Sequence, residues 1–269
     1  MSMASTGGAD APARREPRPD PWAGRRKLLA VADVQTGYHH DSISHALATI
    51  EMLGRSSGDY LANIRTDSQL ITRQPILGQG AKYGGKRVNA RGLGEYDAVF
   101  LLPSGEGTLT AQQKADLLAY VHDDGKGLVI GHAGILGFYD WPEFGVMAGA
   151  RLGGEFMGEV MVRVEAPGQP GADAFGSLAF PFTEQHPVLK EPYDRSSVTV
   201  VMSIDPATVE PRVREKRADG DFPVVWTRAY GRGRVYHIGW GHVDSTWDDP
   251  GFQRLVLAGI RWAMGTPAA

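Results

Sequence analysis

Residues 36–47 read TGYHHDSISHAL, which places His39 and His40 directly before Asp41 and Ser42. Further along, His132 stands in VIGHAG and His242 in GWGHVD. Imidazole titrates near neutral pH and is also the commonest side-chain metal ligand. Such residues can move protons or hold a divalent ion. Thiol chemistry is excluded, because the chain has no cysteine and therefore no disulfide, thiolate ligand or cysteine nucleophile. No local spacing such as H-E-x-x-H selects the metal, so proton transfer and metal binding stand side by side. Asp41 has a third use. An aspartate at a helix start satisfies free N–H groups and suits the macrodipole, which is compatible with orienting a neighbouring imidazole.

Residues so far apart in sequence meet only if the fold brings their loops together. Lys27–Val34 is a short apolar run, as expected of a buried parallel strand. Ser42 is placed to cap a helix reaching about Leu53, with Ile43, Ala46, Leu47 and Ile50 on one face. A second strand is predicted over Tyr60–Ile64 and a third over Asp97–Leu102. Thr110 and Gln113 form a capping box for a helix to about His122, and GLVIG at 127–131 is a fourth strand. This alternation predicts crossover connections and a parallel sheet with helices on both faces. The stretch 72–94, rich in Gly, Lys and Arg, has no periodicity and reads as a long loop or insertion. Later, Glu159–Glu165 and Val198–Ile204 read as strands. Pro223–Arg228 and Arg234–Trp240 form a hairpin about AYGRG. Asp249 followed by Pro250 opens a final helix ending near Gly265. The reading is one α/β domain over 27–265, a parallel sheet with helices on both faces and antiparallel strands added in its second half.

In open parallel sheets ligands bind beyond the carboxyl ends of the strands. His39 and His40 follow the first strand, His132 ends the fourth, and His242 follows the last. If the last strand is parallel to the core, His40, His132 and His242 share one edge. The other histidines read as structural or undetermined. His45 and His122 lie on helices, His237 lies within a strand, and His186 in TEQHPVL reads as a loop residue.

Several function classes are excluded or left unsupported. A formal charge of −3 with interspersed signs gives no pull toward nucleic acid or anionic membrane. No apolar run reaches the ~20 residues of a bilayer span. Residues 1–26, rich in Pro, Gly, Ala and charge, read as a disordered leader. Arg25-Arg26 hints at a twin-arginine signal, but Asp33 cuts the following apolar run too short for one, so a cytoplasmic location is expected. GRSSG at 54–58 matches a nucleophile elbow in letters only, because it follows a helix instead of a strand. GAKYGGK at 80–86 is followed by Arg87 where a phosphate-binding loop needs Ser or Thr. GEG at 105–107 reads as a turn.

TGYHHDSI, the segment YDAVFLLPSGEGTLTAQQKADLLAYVHDDGKGLVIGHAG, YDWPEFGVMAGARLGG, and FPVVWTRAYGRGRVYHIGWGHVDSTWDDPGFQRLVLAGIRWAMG together resemble the ThuA-like (trehalose-utilisation) family. The resemblance covers about Leu28–Gly265 apart from 72–94. It implies a flavodoxin-like three-layer fold related to the class I glutamine amidotransferases, whose elbow cysteine is matched here by His132 in IGHAG. Thioester chemistry on glutamine is thereby excluded. It also implies a role in sugar catabolism through 3-keto derivatives. Family-like polar positions fall on the His40–Asp41 pair, His132 and His242. The family's mid-chain acidic pair is represented by Glu184 alone, since Gln185 replaces its neighbour, and the G-H-P that often follows the G-A-R-F type segment is absent.

The expected reaction is acid–base work on an oxidised, 3-keto sugar or glycoside, as isomerase, lyase or hydrolase. Its expected groups are His40, Asp41, His132, Glu184 and His242. A divalent metal on His40, His132 and His242, with Glu184, is the alternative arrangement. His39, Glu106, Tyr139, Trp141 and Trp240 are the expected substrate contacts, the aromatics by stacking on sugar faces. Two other functions stay open, a non-catalytic carbohydrate-binding domain and a metal-dependent hydrolase of a non-sugar substrate. The expected partner is a small carbohydrate, in a chain that can form a homo-oligomer.

Overall fold

The computed structural model describes residues 22–265, leaving most of the expected leader outside the described residues. The last part of that leader packs on the domain. Arg91 lies over the Trp22 ring, 4.7 Å from its centroid, and Arg26 donates to the Met264 carbonyl.

The sheet has nine strands: β1 Lys27–Val31, β2 Leu61–Arg65, β3 Ala98–Leu101, β4 Gly127–Gly131, β5 Arg151–Val164, β6 Ala179–Lys190, β7 Thr199–Ile204, β8 Pro223–Tyr230 and β9 Gly233–Ile238. Their order is β2-β1-β3-β4-β9-β8-β7-β5-β6. β1–β4 and β9 are mutually parallel, with Gly131 opposite Ile238. The pairs from β9 outward are antiparallel. The last strand is therefore parallel to the core, the condition for bringing the three histidines to one edge.

Both faces of the central strands are buried, so alternate residues feed two cores. Leu28, Ala30, Phe100 and Val129 pack with helix α1 (Ile43–Ser57) and the C-terminal helix α6 (Pro250–Ala263). Leu29, Val31, Val99, Leu128 and Ile130 pack with α3 (Ala111–His122) and α4 (Pro142–Ala148). Two short helices, α2 (Gly80–Tyr83) and α5 (Pro211–Arg214), lie in connections. The stretch 72–94 is irregular, as expected, apart from α2, two isolated bridges and the start of a 3-10 turn at Leu93–Glu95.

The capping box at Thr110 and Gln113 forms. Asp249 accepts from the Phe252 N–H at 2.7 Å with Pro250 at the first helical position. Gly58 ends α1 in the left-handed region, so GRSSG is a helix terminus. Ser42 departs from expectation. It precedes α1, but its hydroxyl makes no cap and donates instead to the Gly241 carbonyl at 3.0 Å. His186 also changes place, for it lies with Glu184 in β6 and not in a loop.

Candidate functional site

β4 delivers His132 on a sharp turn. Its φ is +35°, a left-handed value rare for a side-chain-bearing residue. The turn is tight because its neighbours are glycines. A Cβ on Gly131 would meet Leu102 at 2.8 Å, and one on Gly134 would meet the Ile130 side chain at 2.2 Å. His132 thus occupies a strained strand-to-helical-turn position analogous to a nucleophile elbow.

The loop after β1 brings His40 over the sheet. It is wedged against the loop after β3, where Gly37 and Gly105 meet backbone to backbone. A Cβ on Gly37 would lie 2.4 Å from the Gly105 nitrogen. The Gly107 N–H goes to Thr36 Oγ1 at 2.8 Å, which makes GEG a structural turn. Beneath both loops, the buried Asp33 carboxylate accepts from Ser68 and from Thr108 Oγ1.

The loop after β9 carries His242 and is clamped from three sides. The Gly241 carbonyl accepts from Ser42 Oγ and from Trp247 Nε1, both at 3.0 Å. Gly241 has φ +123°, open to glycine but strained for other residues. Fully buried Glu184 accepts from Gly241 N at 3.2 Å, Val243 N at 3.3 Å and Thr246 Oγ1 at 2.5 Å.

Three rings converge as a result. His132 Nε2 lies 3.1 Å from His40 Nε2 and 3.2 Å from His242 Nδ1. Among the described residues this is the single cluster whose nitrogens and carboxylate oxygens can share one ion. Two nitrogens ~2.0–2.1 Å from a tetrahedral ion stand about 3.3 Å apart, close to these two spacings, and all three nitrogens lie within 4.8 Å of one another. The Gly239 and Tyr38 backbones lie against the His132 and His40 rings and act on them in the opposite sense to burial.

Burial holds His132 down to about 3, helped by neighbouring His40 and His242. Burial, then His242, lowers His40 to about 4. Both rings are neutral at pH 7, the form that ligates a metal. Burial likewise lowers His186 to about 4 and His237 to about 3. An unfolded histidine titrates near ~6.5. Below that pH the unfolded chain takes up protons that the native state refuses, so stability falls as pH falls from ~6.5 toward 4. Melting temperature is expected to decline steadily over this window. Differential scanning calorimetry from pH 7.5 to 4.5 checks it, and a flat profile would contradict the buried neutral histidines.

The other expected residues are placed as follows. Asp41 is exposed beside His40 and His39 is exposed next to it. Glu184 braces the His242 loop from below and its oxygens are taken up there. Glu106 accepts from Asp140 N at 2.9 Å, and Tyr139 is partly exposed nearby. The two tryptophans do not present faces to a sugar. Trp240 is fully buried with Nε1 donating to His186 Nδ1 at 3.1 Å, and Trp141 stacks on Phe144 with centroids 5.5 Å apart. His237 is buried and stacked on Trp226 at 3.7 Å, the core role expected of it.

Three residues escaped the sequence reading. Tyr38, 65% exposed, meets the His40 ring edge-on at 4.8 Å and lies nearly parallel to His242 at 6.5 Å. It is the open aromatic surface at the site, and its adjacency to His39-His40 was the available signal. Glu155 and Gln185, from β5 and β6, line a small cavity against His132. No local pattern marks them.

A family model described as trehalose utilisation, ThuA, matches residues 28–263. A ThuA-like protein from Bacteroides uniformis superposes with a TM-score of 0.64 at 19% identity, over 91% of this chain and 94% of that one. Another from Parabacteroides merdae gives 0.67 at 18%, over 91% and 92%. A β-galactosidase from a Rahnella species shares the fold over 90% of this chain but 32% of its own, with a TM-score of 0.54 at 12% identity. A search of curated protein sequences found no match.

Proposed function

The chain belongs to the ThuA family, whose role is in carbohydrate utilisation, and we propose that it is an enzyme acting on an oxidised, keto-bearing sugar or glycoside at a three-histidine divalent-metal site. The observation that carries this reading is the gathering of the His40, His132 and His242 nitrogens within 4.8 Å of one another, two of the spacings being 3.1 and 3.2 Å. A divalent ion held there supplies positive charge to a substrate oxygen, such as the carbonyl of a ketose. The protein's own part is to keep the His40 and His132 rings neutral by burial and to hold His242 on a clamped loop. Tyr38 offers an exposed ring on which a sugar's apolar face can rest.

Metal binding is favoured over histidine acid–base catalysis because burial keeps His132 and His40 neutral at pH 7, the form that ligates a metal.

The test uses untagged protein purified without chelators. Elemental analysis is expected to find one divalent ion per chain, or stoichiometric uptake on titration with zinc, manganese or cobalt. NMR is expected to show conversion of 3-keto-glucosides and none of the parent glucosides. Failure to take up any of these ions would overturn the metal site. Calorimetric binding of unmodified sugars with no conversion of keto forms would overturn the enzyme reading in favour of a binding module.

A further inference from the structure

Glu155 stands out among the carboxylates near the three histidines. A cavity of about 10 Å³, room for one water, is lined by His132, Leu152, Glu155, Gln185, His186, Pro187 and Gly239. Glu155 is the carboxylate of that lining. The companion cavity on the other side of His132 has none, being lined by His40, Ser42, Ile43, Ala46, Leu102, His132 and Gly241.

Its position depends on a bulge. Successive side chains of a strand alternate faces, so Leu152 and Glu155, three apart, would point to opposite sides. Between Leu152 and Gly154 the β5–β6 register shifts by one residue. Leu152 pairs with Leu189 and Gly154 with Val188, leaving Gly153 extra. That extra residue puts Leu152 and Glu155 on one face, where both reach the cavity. Bulges recur next to active sites because they re-aim a side chain.

The remaining carboxylates are committed or remote from this cavity. Glu184 holds Gly241, Val243 and Thr246. Asp33 holds Ser68 and Thr108. Glu106 holds the Asp140 N–H, and Asp41 lines neither cavity. The Glu155 carboxylate makes no hydrogen bond or ion pair among the described residues, and the residue is exposed. The phenol of Tyr139 is pushed up by burial and then by Glu106 and Glu155, which puts these groups in one neighbourhood.

Resting on the keto-sugar reading above, we propose that Glu155 is the catalytic base of the site, taking the proton from the carbon next to the substrate's ketone. In that step the C2–H bond breaks and an O–H bond forms on Glu155. The C–H electron pair becomes the C2–C3 double bond, and the carbonyl pair moves onto oxygen as an enolate. Returning a proton to C2 restores the ketone, with no oxidant or reductant needed.

The experiment is deuterium wash-in at C2 of methyl 3-keto-glucoside in D₂O, followed by proton NMR, with metal content measured on the same samples. Wild type is expected to exchange. Glu155→Gln is expected to keep its metal and its melting temperature but to lose roughly 10²–10⁴-fold in exchange rate. The loss should fall on kcat more than KM, Glu155→Asp should regain part of it, and added formate should partly rescue Glu155→Ala. Exchange by Glu155→Gln within twofold of wild type, with metal bound, would overturn this assignment and leave the keto-sugar reading standing. Conversion of the keto-glucoside by metal-loaded wild type without exchange would likewise overturn the base assignment alone, and absence of both conversion and exchange would overturn both readings.

Discussion

His132→Ala is expected to lose the bound ion altogether under conditions where the wild type holds one per chain. His132 is the shared member of both close nitrogen pairs, at 3.1 and 3.2 Å. Removing it leaves His40 and His242 without the ring that lies between them. Loss of an outer hydrogen-bond partner alone typically costs 10–100-fold in metal affinity, so loss of this ligand should exceed ~100-fold. Turnover of keto-sugars should fall with it. Folding should survive, because alanine keeps the Cβ that the turn already accommodates at φ +35°. The measurement is competitive titration with a fluorescent zinc chelator, alongside circular dichroism. Wild-type affinity in a folded His132→Ala protein would refute the metal site.

Glu184→Ala is expected to be the most destabilising single substitution around the site, by roughly 3 kcal/mol or more. The carboxylate is fully buried and receives Gly241 N, Val243 N and Thr246 Oγ1. Alanine would leave these donors buried without an acceptor, each costing ~1–3 kcal/mol before relaxation. The same change releases the loop bearing His242, so metal affinity should fall ~10–100-fold, as for other supporting groups. Glu184→Gln keeps one acceptor oxygen and should lie between. Urea denaturation with the metal titration checks both, and a Glu184→Ala protein within 0.5 kcal/mol of wild type would contradict the brace.

The parallel half of the fold was legible because its signals are local. GLVIG, the Thr110–Gln113 box and the Asp249–Pro250 start each specify an element from a few neighbouring residues, and each forms where expected. Convergence of the histidines followed from the rule that strand ends gather at one edge. What was missed is non-local. β6 contains Pro181 and Pro187, which argue against a strand in the middle of a sheet. It lies at the sheet's edge, paired on one side only, where proline is tolerated. Its absence from the reading put His186 in a loop and hid the bulge that turns Glu155 toward His132. The tryptophans were misassigned for a related reason. Trp240 is two residues from His242, but nothing in its neighbourhood announces that His186 across the sheet will bond its Nε1.

The place of β9 between β4 and β8 has a consequence for biosynthesis. Until residues 233–238 leave the ribosome, the nascent chain holds two incomplete sheets. Each ends in an unpaired edge, β4 on one and β8 on the other. β4 is buried at every position in the finished protein, so the waiting edge is apolar and adhesive. The β1–β4 half therefore waits with an apolar edge open until the keystone strand follows it, and the His132–His242 contact is made only after β9 has joined the two halves.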